Sequence, residues 1–73
     1  MNSPIAVRVR FKEHGRWSMK AYTYKSTFRP EIGDKVLVPA GEWYGVGEVV
    51  AVYDEYAFKP DISYKFLIQK LIL

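Results

Sequence analysis

Three basic side chains alternate with apolar ones near the start of the sequence, at Arg8, Arg10 and Lys12. Residues two apart in a β-strand project from the same face, so this spacing predicts a row of positive charge along one side of a strand. Lys20, on the expected neighbouring strand, is placed to join the row. Such a row can follow a phosphate backbone, or it can keep an exposed face solvated and protect an edge strand.

Aromatic side chains form a second set with binding chemistry. Trp43 and Tyr44 lie between glycines, where a turn is predicted and little core is at hand, and Tyr22 and Tyr24 lie in a strand-forming run. Aromatic faces stack on unpaired nucleobases, and exposed aromatics also anchor protein interfaces. The alternatives are that the tyrosine pair fills the core or rim and that Trp43 folds back over an open barrel end.

Residue types for catalysis or metal binding are scarce. The chain has no cysteine and one histidine, His14, which lies in a predicted hairpin turn beside Glu13. A disulfide, a thiolate zinc site and a histidine cluster are therefore excluded. The acidic residues Asp54, Glu55 and Asp61 lack the spacing of a calcium-binding loop and are typical of a solvated loop. We expect a non-enzymatic protein without metal or other cofactors.

The elements that must position these side chains are short strands. Residues 5–12 alternate strictly, and residues 17–25 are rich in β-favouring aromatics, with Gly15 between them suited to a hairpin turn. The mixed apolar phase of the second run indicates either a β-bulge or a strand covered on both faces. Loops are predicted at 26–34 and 54–63, and further strands at 35–39, 46–53 and 64–71.

The pattern of strands indicates the fold class. The β-branched run at 46–53 is typical of a strand that is buried on both faces or strongly coiled within a barrel. Five short strands separated by turn signals predict a single all-β domain over residues 1–73, a small SH3-like, partly open barrel. The end of the chain, residues 66–73, fits two structures: Leu67 and Leu71 are spaced as on a helix, whereas Phe66 and Ile68 alternate as in a strand. We predict the strand.

The order of several segments resembles that of a known family. Tyr22-Thr23-Tyr24 is followed by residues 32–41, Ile-Gly-Asp-Lys-Val-Leu-Val-Pro-Ala-Gly, and by residues 46–52, Val-Gly-Glu-Val-Val-Ala-Val. Over roughly residues 5–53 this pattern resembles the amino-terminal DNA-binding domain of the primosomal replication-restart helicase. The chain is also similar in size and style to small phage-encoded SH3-like barrel proteins.

The resemblance implies a barrel and a general affinity for nucleic acid, with DNA favoured. Between its paired aromatics the helicase domain has an acidic residue that helps hold the free 3′ end of DNA. This chain has Thr23 at that position. Recognition of DNA ends is therefore not carried over.

Positive charge is concentrated in the first half of the chain. Residues 1–35 hold eight basic and three acidic side chains, a net +5, and residues 36–73 hold three basic and five acidic ones, a net −2, which together give +3. No signal peptide is evident, and no stretch reaches the roughly 18 apolar residues of a membrane span. We expect a cytoplasmic protein, in the host cytoplasm if viral, that does not enter membranes.

These observations predict a binding domain. The first hypothesis is nucleic-acid binding, in which phosphates and bases are contacted by Arg8, Arg10, Lys12, Lys20, Tyr22, Trp43 and Tyr44. The alternative is a protein-interaction module, for instance a phage-type protein that engages a host protein through its aromatic loop or an open sheet edge. Self-association through the apolar tail Leu71-Ile72-Leu73 is a third hypothesis.

Overall fold

The computed structural model describes residues 4–72, which form five strands in one sheet. The strands are β1 (Ile5–Glu13), β2 (Arg16–Ser26), β3 (Lys35–Ala40), β4 (Trp43–Tyr53) and β5 (Gln69–Leu71). Their order in the sheet is β2-β1-β4-β3-β5, and each neighbouring pair runs antiparallel. Over the described residues no helix could cross a membrane. The predicted all-β class is confirmed.

Two tight hairpins set the register of the sheet. β1 and β2 are joined at His14 and Gly15, whose φ angles of 52° and 79° lie in the left-handed region that two-residue hairpin turns require. His14 is exposed in that turn, as predicted. β3 and β4 are joined through Gly41, with φ 62°, and β4 begins at Trp43 rather than at the predicted Val46.

The core lies against one face of the sheet. It contains the buried residues Val7, Val9, Val36, Val38, Val49 and Leu67, surrounded by the partly buried Ile5, Phe11, Tyr24, Phe28 and Val52. Branched aliphatic side chains suit this position because they pack densely on a pleated surface. The opposite side of the sheet is called here the outer face. It carries Arg8 and Arg10 from β1, Lys35 from β3 and Glu48 from β4.

The sheet curls into a barrel that is joined at one point. β2 lies at one edge of the sheet, and the chain approaching β5 reaches it through a single parallel bridge between Lys25 and Phe66. Backbone hydrogen bonds of 2.9 Å join Lys25 to the residues on either side of Phe66, and another joins Ile68 to Leu37 of β3. This crossing from one sheet edge to the other confirms the predicted partly open barrel.

Two strands differ from the prediction. The sequence predicts a last strand over residues 64–71, but only Gln69–Leu71 forms a ladder with β3, because the preceding residues cross between the sheet edges. The helical alternative is not found over residues 66–72, and Leu73 lies outside the described residues. For β4, which begins three residues before the predicted strand, the alternative of burial on both faces is not found: Val49 is buried against the core, whereas Val46 is 49% exposed on the outer face.

Candidate nucleic-acid interface

β1 places the predicted basic row on the outer face. Val7 and Val9 are fully buried against the core, so the intervening Arg8, Arg10 and Lys12 project to the other side of the strand. Arg8 and Lys12 are exposed, and Arg10 is half-buried. The alternation of the sequence therefore positions the three cations as predicted, at spacings of about 7 Å along the strand.

A carboxylate sits between two cations in the middle of the outer face. Arg10 on β1, Glu48 on β4 and Lys35 on β3 are aligned across the sheet by the strand register. Arg10 Nε donates to Glu48 Oε1 over 2.8 Å, and Lys35 Nζ donates to Glu48 Oε2 over 3.1 Å. The hydrogen bonds from Arg10 and then from Lys35 hold the pKa of Glu48 below its ordinary value, so the carboxylate stays ionised.

The indole ring of Trp17 lies among the cations of the outer face. Trp17 pairs with Lys12 across β1 and β2. Arg10 Cζ and Lys12 Nζ each lie 5.3 Å from its ring centre, and Lys35 Nζ lies 5.5 Å from it. These distances are within the range of cation–π attraction. Since β1 and β4 separate β2 from β3, the ring reaches across the sheet and links three basic side chains into one cluster.

The sequence pattern does not single out Trp17 or Glu48. Both are found in the basic cluster through strand register: Trp17 lies opposite Lys12, and Glu48 lies opposite Arg10 and Lys35. With Arg8 added, the basic cluster holds four basic side chains and one acidic one, a net +3. Glu48 neutralises part of the charge of Arg10 and Lys35. The more exposed Arg8 and Lys12 therefore carry the charge most open to an anionic ligand.

Lys20 and Tyr22 do not join the basic row. The ladder between β1 and β2 is irregular, because residues 18–20 of β2 lie opposite Phe11 alone, which confirms the predicted bulge. Tyr22 pairs with the core residue Val9, and its ring centre lies 6.0 Å from that of Phe11. Lys20 Nζ lies 5.3 Å from the centre of the Tyr22 ring. The structure therefore groups both residues on the core-facing side of β2 and not with the basic row.

Trp43 and Tyr44 are exposed, but they belong to a strand. Trp43 pairs with Ala40 and Tyr44 with Pro39, so both follow the turn and open β4. Their exposed fractions are 78% and 68%. By alternation along β4, Tyr44 shares the outer face with Glu48, whereas Trp43 points to the other side at the end of the sheet. Tyr44 is thus the exposed aromatic best placed beside the basic cluster.

A second aromatic cluster covers the other end of the outer face. The rings of Tyr53, Tyr56, Phe58 and Tyr64 contact in series, with centre separations of 5.8, 5.0 and 4.9 Å. Lys25 Nζ lies 5.1 Å from the centre of Phe58 and 5.9 Å from that of Tyr64. The sequence predicts only a solvated loop over 54–63. Its acids are exposed, with Asp54 ion-paired to Arg29, but its aromatics pack together.

The described residues offer little for metal or acid–base chemistry. Across residues 4–72, no group of three or more His, Asp or Glu side chains is arranged to hold a metal ion. Asp34 is engaged structurally. It accepts a hydrogen bond of 2.8 Å from the backbone N–H of Glu31, and this bond together with Lys70 and Lys35 lowers its pKa.

Comparison with known proteins found no similar family, protein or structure. No protein-family model, curated protein or solved structure matches this chain. The resemblance to the helicase domain therefore stays a prediction, and functional inference depends on the geometry of the outer face.

Proposed function

We propose that this protein is a non-catalytic nucleic-acid-binding domain that uses the outer face of its sheet. The observation that carries the proposal is the cluster in which Arg10, Lys12 and Lys35 surround the Trp17 ring. A net positive, solvent-facing surface with aromatic groups suits a polyanion whose bases can stack. The sequence resemblance favours DNA among nucleic acids.

The side chains of this surface take different roles. Arg8 and Lys12 contact phosphates, because both are exposed and their charges are not neutralised by Glu48. Arg10 is held by Glu48 and by the ring of Trp17, so its guanidinium adds to the positive electrostatic potential of the outer face from a fixed position. Tyr44 supplies an exposed ring on the same face for stacking on a base.

Fluorescence anisotropy with labelled oligonucleotides tests the proposal. Single-stranded and duplex DNA and the matching RNA are titrated at about 50 and 200 mM salt, where two to four phosphate contacts predict a roughly 10- to 100-fold fall in affinity. The variant Arg8→Ala/Lys12→Ala should weaken binding and flatten the salt dependence. The control Lys59→Ala/Lys65→Ala removes the same charge from exposed positions elsewhere and should retain that dependence. No binding at the lower salt concentration would refute the proposal.

A protein-interaction role is the second candidate. The observation that favours it is the exposure of Trp43 and Tyr44, since large exposed aromatics are typical anchors of protein interfaces. That role predicts a shallow salt response and loss of partner binding in Trp43→Ala, with Arg8→Ala/Lys12→Ala having little effect. Trp43→Ala, compared with Arg8→Ala/Lys12→Ala, therefore separates the two candidates.

A further inference from the structure

β2 has a free side along most of its length. Among the described residues, its only partner on that side is the chain around Phe66, which bonds to the N–H and C=O of Lys25. Backbone groups of alternate residues in a strand point to the same side. The N–H and C=O groups of Ala21 and Thr23 therefore point to the free side as well. Arg8 Nη2 donates to the Ala21 carbonyl over 3.2 Å, which leaves the Ala21 N–H and both groups of Thr23 open.

This free side is one wall of a groove. The groove has a volume of about 360 Å³ and lies between Tyr22, Thr23 and Tyr24 on β2 and residues 62–65 on the far side. The chain pairs with β2 around Phe66, whereas residues 62–64 form no backbone hydrogen bond with β2 and line the groove beside it. Apolar surface from the tyrosine rings and open backbone groups thus lie side by side.

The charged side chains on β2 and in the lining of the groove are all basic. β2 carries Arg16, Lys20 and Lys25 and no acidic residue, and Lys65 lies on the far wall. None of the described residues that line the groove is a carboxylate. Lys20 and Lys65 are exposed. An extended segment that enters the groove is therefore favoured if it carries acidic side chains.

We propose that the free edge of β2 is a docking site for an extended acidic peptide segment of a partner protein. The segment adds to the sheet as a further strand, and its backbone bonds to the open groups of Ala21 and Thr23. Its apolar side chains pack against Tyr22 and Tyr24, and acidic side chains that flank them on the same face of the segment meet Lys20 and Lys65. The site is the edge of the sheet and not its outer face, so it does not depend on nucleic-acid binding.

The direct test uses the labelled peptide Glu-Thr-Val-Thr-Val-Thr-Glu, which as a strand presents its Val and Glu side chains on one face, with Lys in place of both Glu residues as the charge-reversed control. We expect saturable binding of the acidic peptide only, and slower hydrogen exchange at the amides of Ala21 and Thr23 when it is bound. Equal binding of both peptides would overturn the proposal, as would protection confined to other amides. Protection of these two amides by a single-stranded oligonucleotide and not by the peptide would overturn it too.

Two variants make the test specific for backbone pairing and charge. Thr23→Pro removes an open N–H without removing a hydrogen bond to β1, so it should lower the affinity for the acidic peptide about tenfold. Thr23→Val keeps the N–H and should bind the peptide with unchanged affinity. Lys20→Glu/Lys65→Glu leaves the backbone of β2 unchanged and should lower the affinity for the acidic peptide at least as much. Unchanged affinity in the charge-reversal variant would overturn the proposal even if Thr23→Pro failed to fold.

Discussion

The Nε atom of Arg10 lies 2.8 Å from Oε1 of Glu48 on the neighbouring strand, at the centre of the outer face. Lys35 binds the other oxygen of the same carboxylate over 3.1 Å, and the Glu48 side chain is only 17% exposed. Glu48 therefore separates two cations that the sheet register brings together. Without it, Arg10 and Lys35 would repel each other across β4.

This arrangement makes stability depend on acid pH through Glu48. Its pKa is depressed in the folded protein, so its stabilising contribution is complete above the ordinary pKa of an unfolded glutamate and is lost as pH falls through the lower pKa of the folded state. We expect Glu48→Gln to lower the free energy of unfolding by roughly 1 to 2 kcal/mol at neutral pH. The deficit should shrink below about pH 4. Urea unfolding across this pH range measures it.

Glu42 provides the matched control for this prediction. It is an exposed carboxylate in the β3–β4 turn, and the substitution Glu42→Gln removes the same charge from the protein. We expect its unfolding curve to follow that of the unsubstituted protein at all pH values tested. If the loss of unfolding free energy in Glu48→Gln stayed constant down to the lowest pH, the ion pairs of Glu48 would not be its source.

Trp17 should raise the affinity for nucleic acid by positioning the neighbouring cations, since the indole ring itself carries no charge to pair with a phosphate. Its ring attracts Arg10, Lys12 and Lys35, and each such contact is worth about 0.5 to 1 kcal/mol. We expect Trp17→Ala to weaken oligonucleotide binding roughly three- to tenfold with an unchanged salt slope. Trp17→Phe should recover most of the loss because it keeps an aromatic face.

The comparison variant for Trp17 is Lys12→Ala. It removes a charge that faces the ligand, so the slope of log affinity against log salt should fall by about 0.7 to 0.9. Anisotropy titrations at several salt concentrations provide both slopes. A reduced slope in Trp17→Ala would contradict a positioning role.

Local patterns predict much of this fold because they concern one strand at a time. The alternation that places Val7 and Val9 inside also places Arg8 and Arg10 outside, and no long-range information is needed. The register of β2 against β1, in contrast, cannot be predicted from the pattern of either strand alone. The bulge opposite Phe11 shifts the register, and this shift brings Trp17 opposite Lys12. Lys20 alternates with Ala21 and lies with Tyr22 on the core-facing side of β2, away from the basic row.

The remaining differences arise from contacts between distant segments. The sequence around Tyr64 alternates like a strand, but the chain there must cross from β2 to β3, so β5 is only three residues long. The aromatics of the predicted solvated loop pack around Lys25 because that crossing brings the two segments together. Neither effect is visible in hydrophobic periodicity, which reports on one element only.

Gly47 marks a place where the barrel has no room for a side chain. A Cβ at this position would overlap Val9 Cγ1 and would lie 3.0 Å from Phe11 Cε1 and 3.1 Å from the Arg10 carbonyl oxygen. Val9 is fully buried and cannot move away without disturbing the core. We expect Gly47→Ala to lower the free energy of unfolding by about 1 to 3 kcal/mol or more, measured by thermal or urea unfolding.

Gly45, on the same strand and the same face, is the control for Gly47. A Cβ there would meet its nearest neighbours at 3.7 to 3.8 Å, which is ordinary contact, so Gly45→Ala should change stability little. Adding Val9→Ala to Gly47→Ala removes the clashing methyl groups. The double variant should therefore be less destabilised than the sum of the two single variants. Strict additivity would show that the cost of Gly47→Ala comes from the backbone and not from Val9.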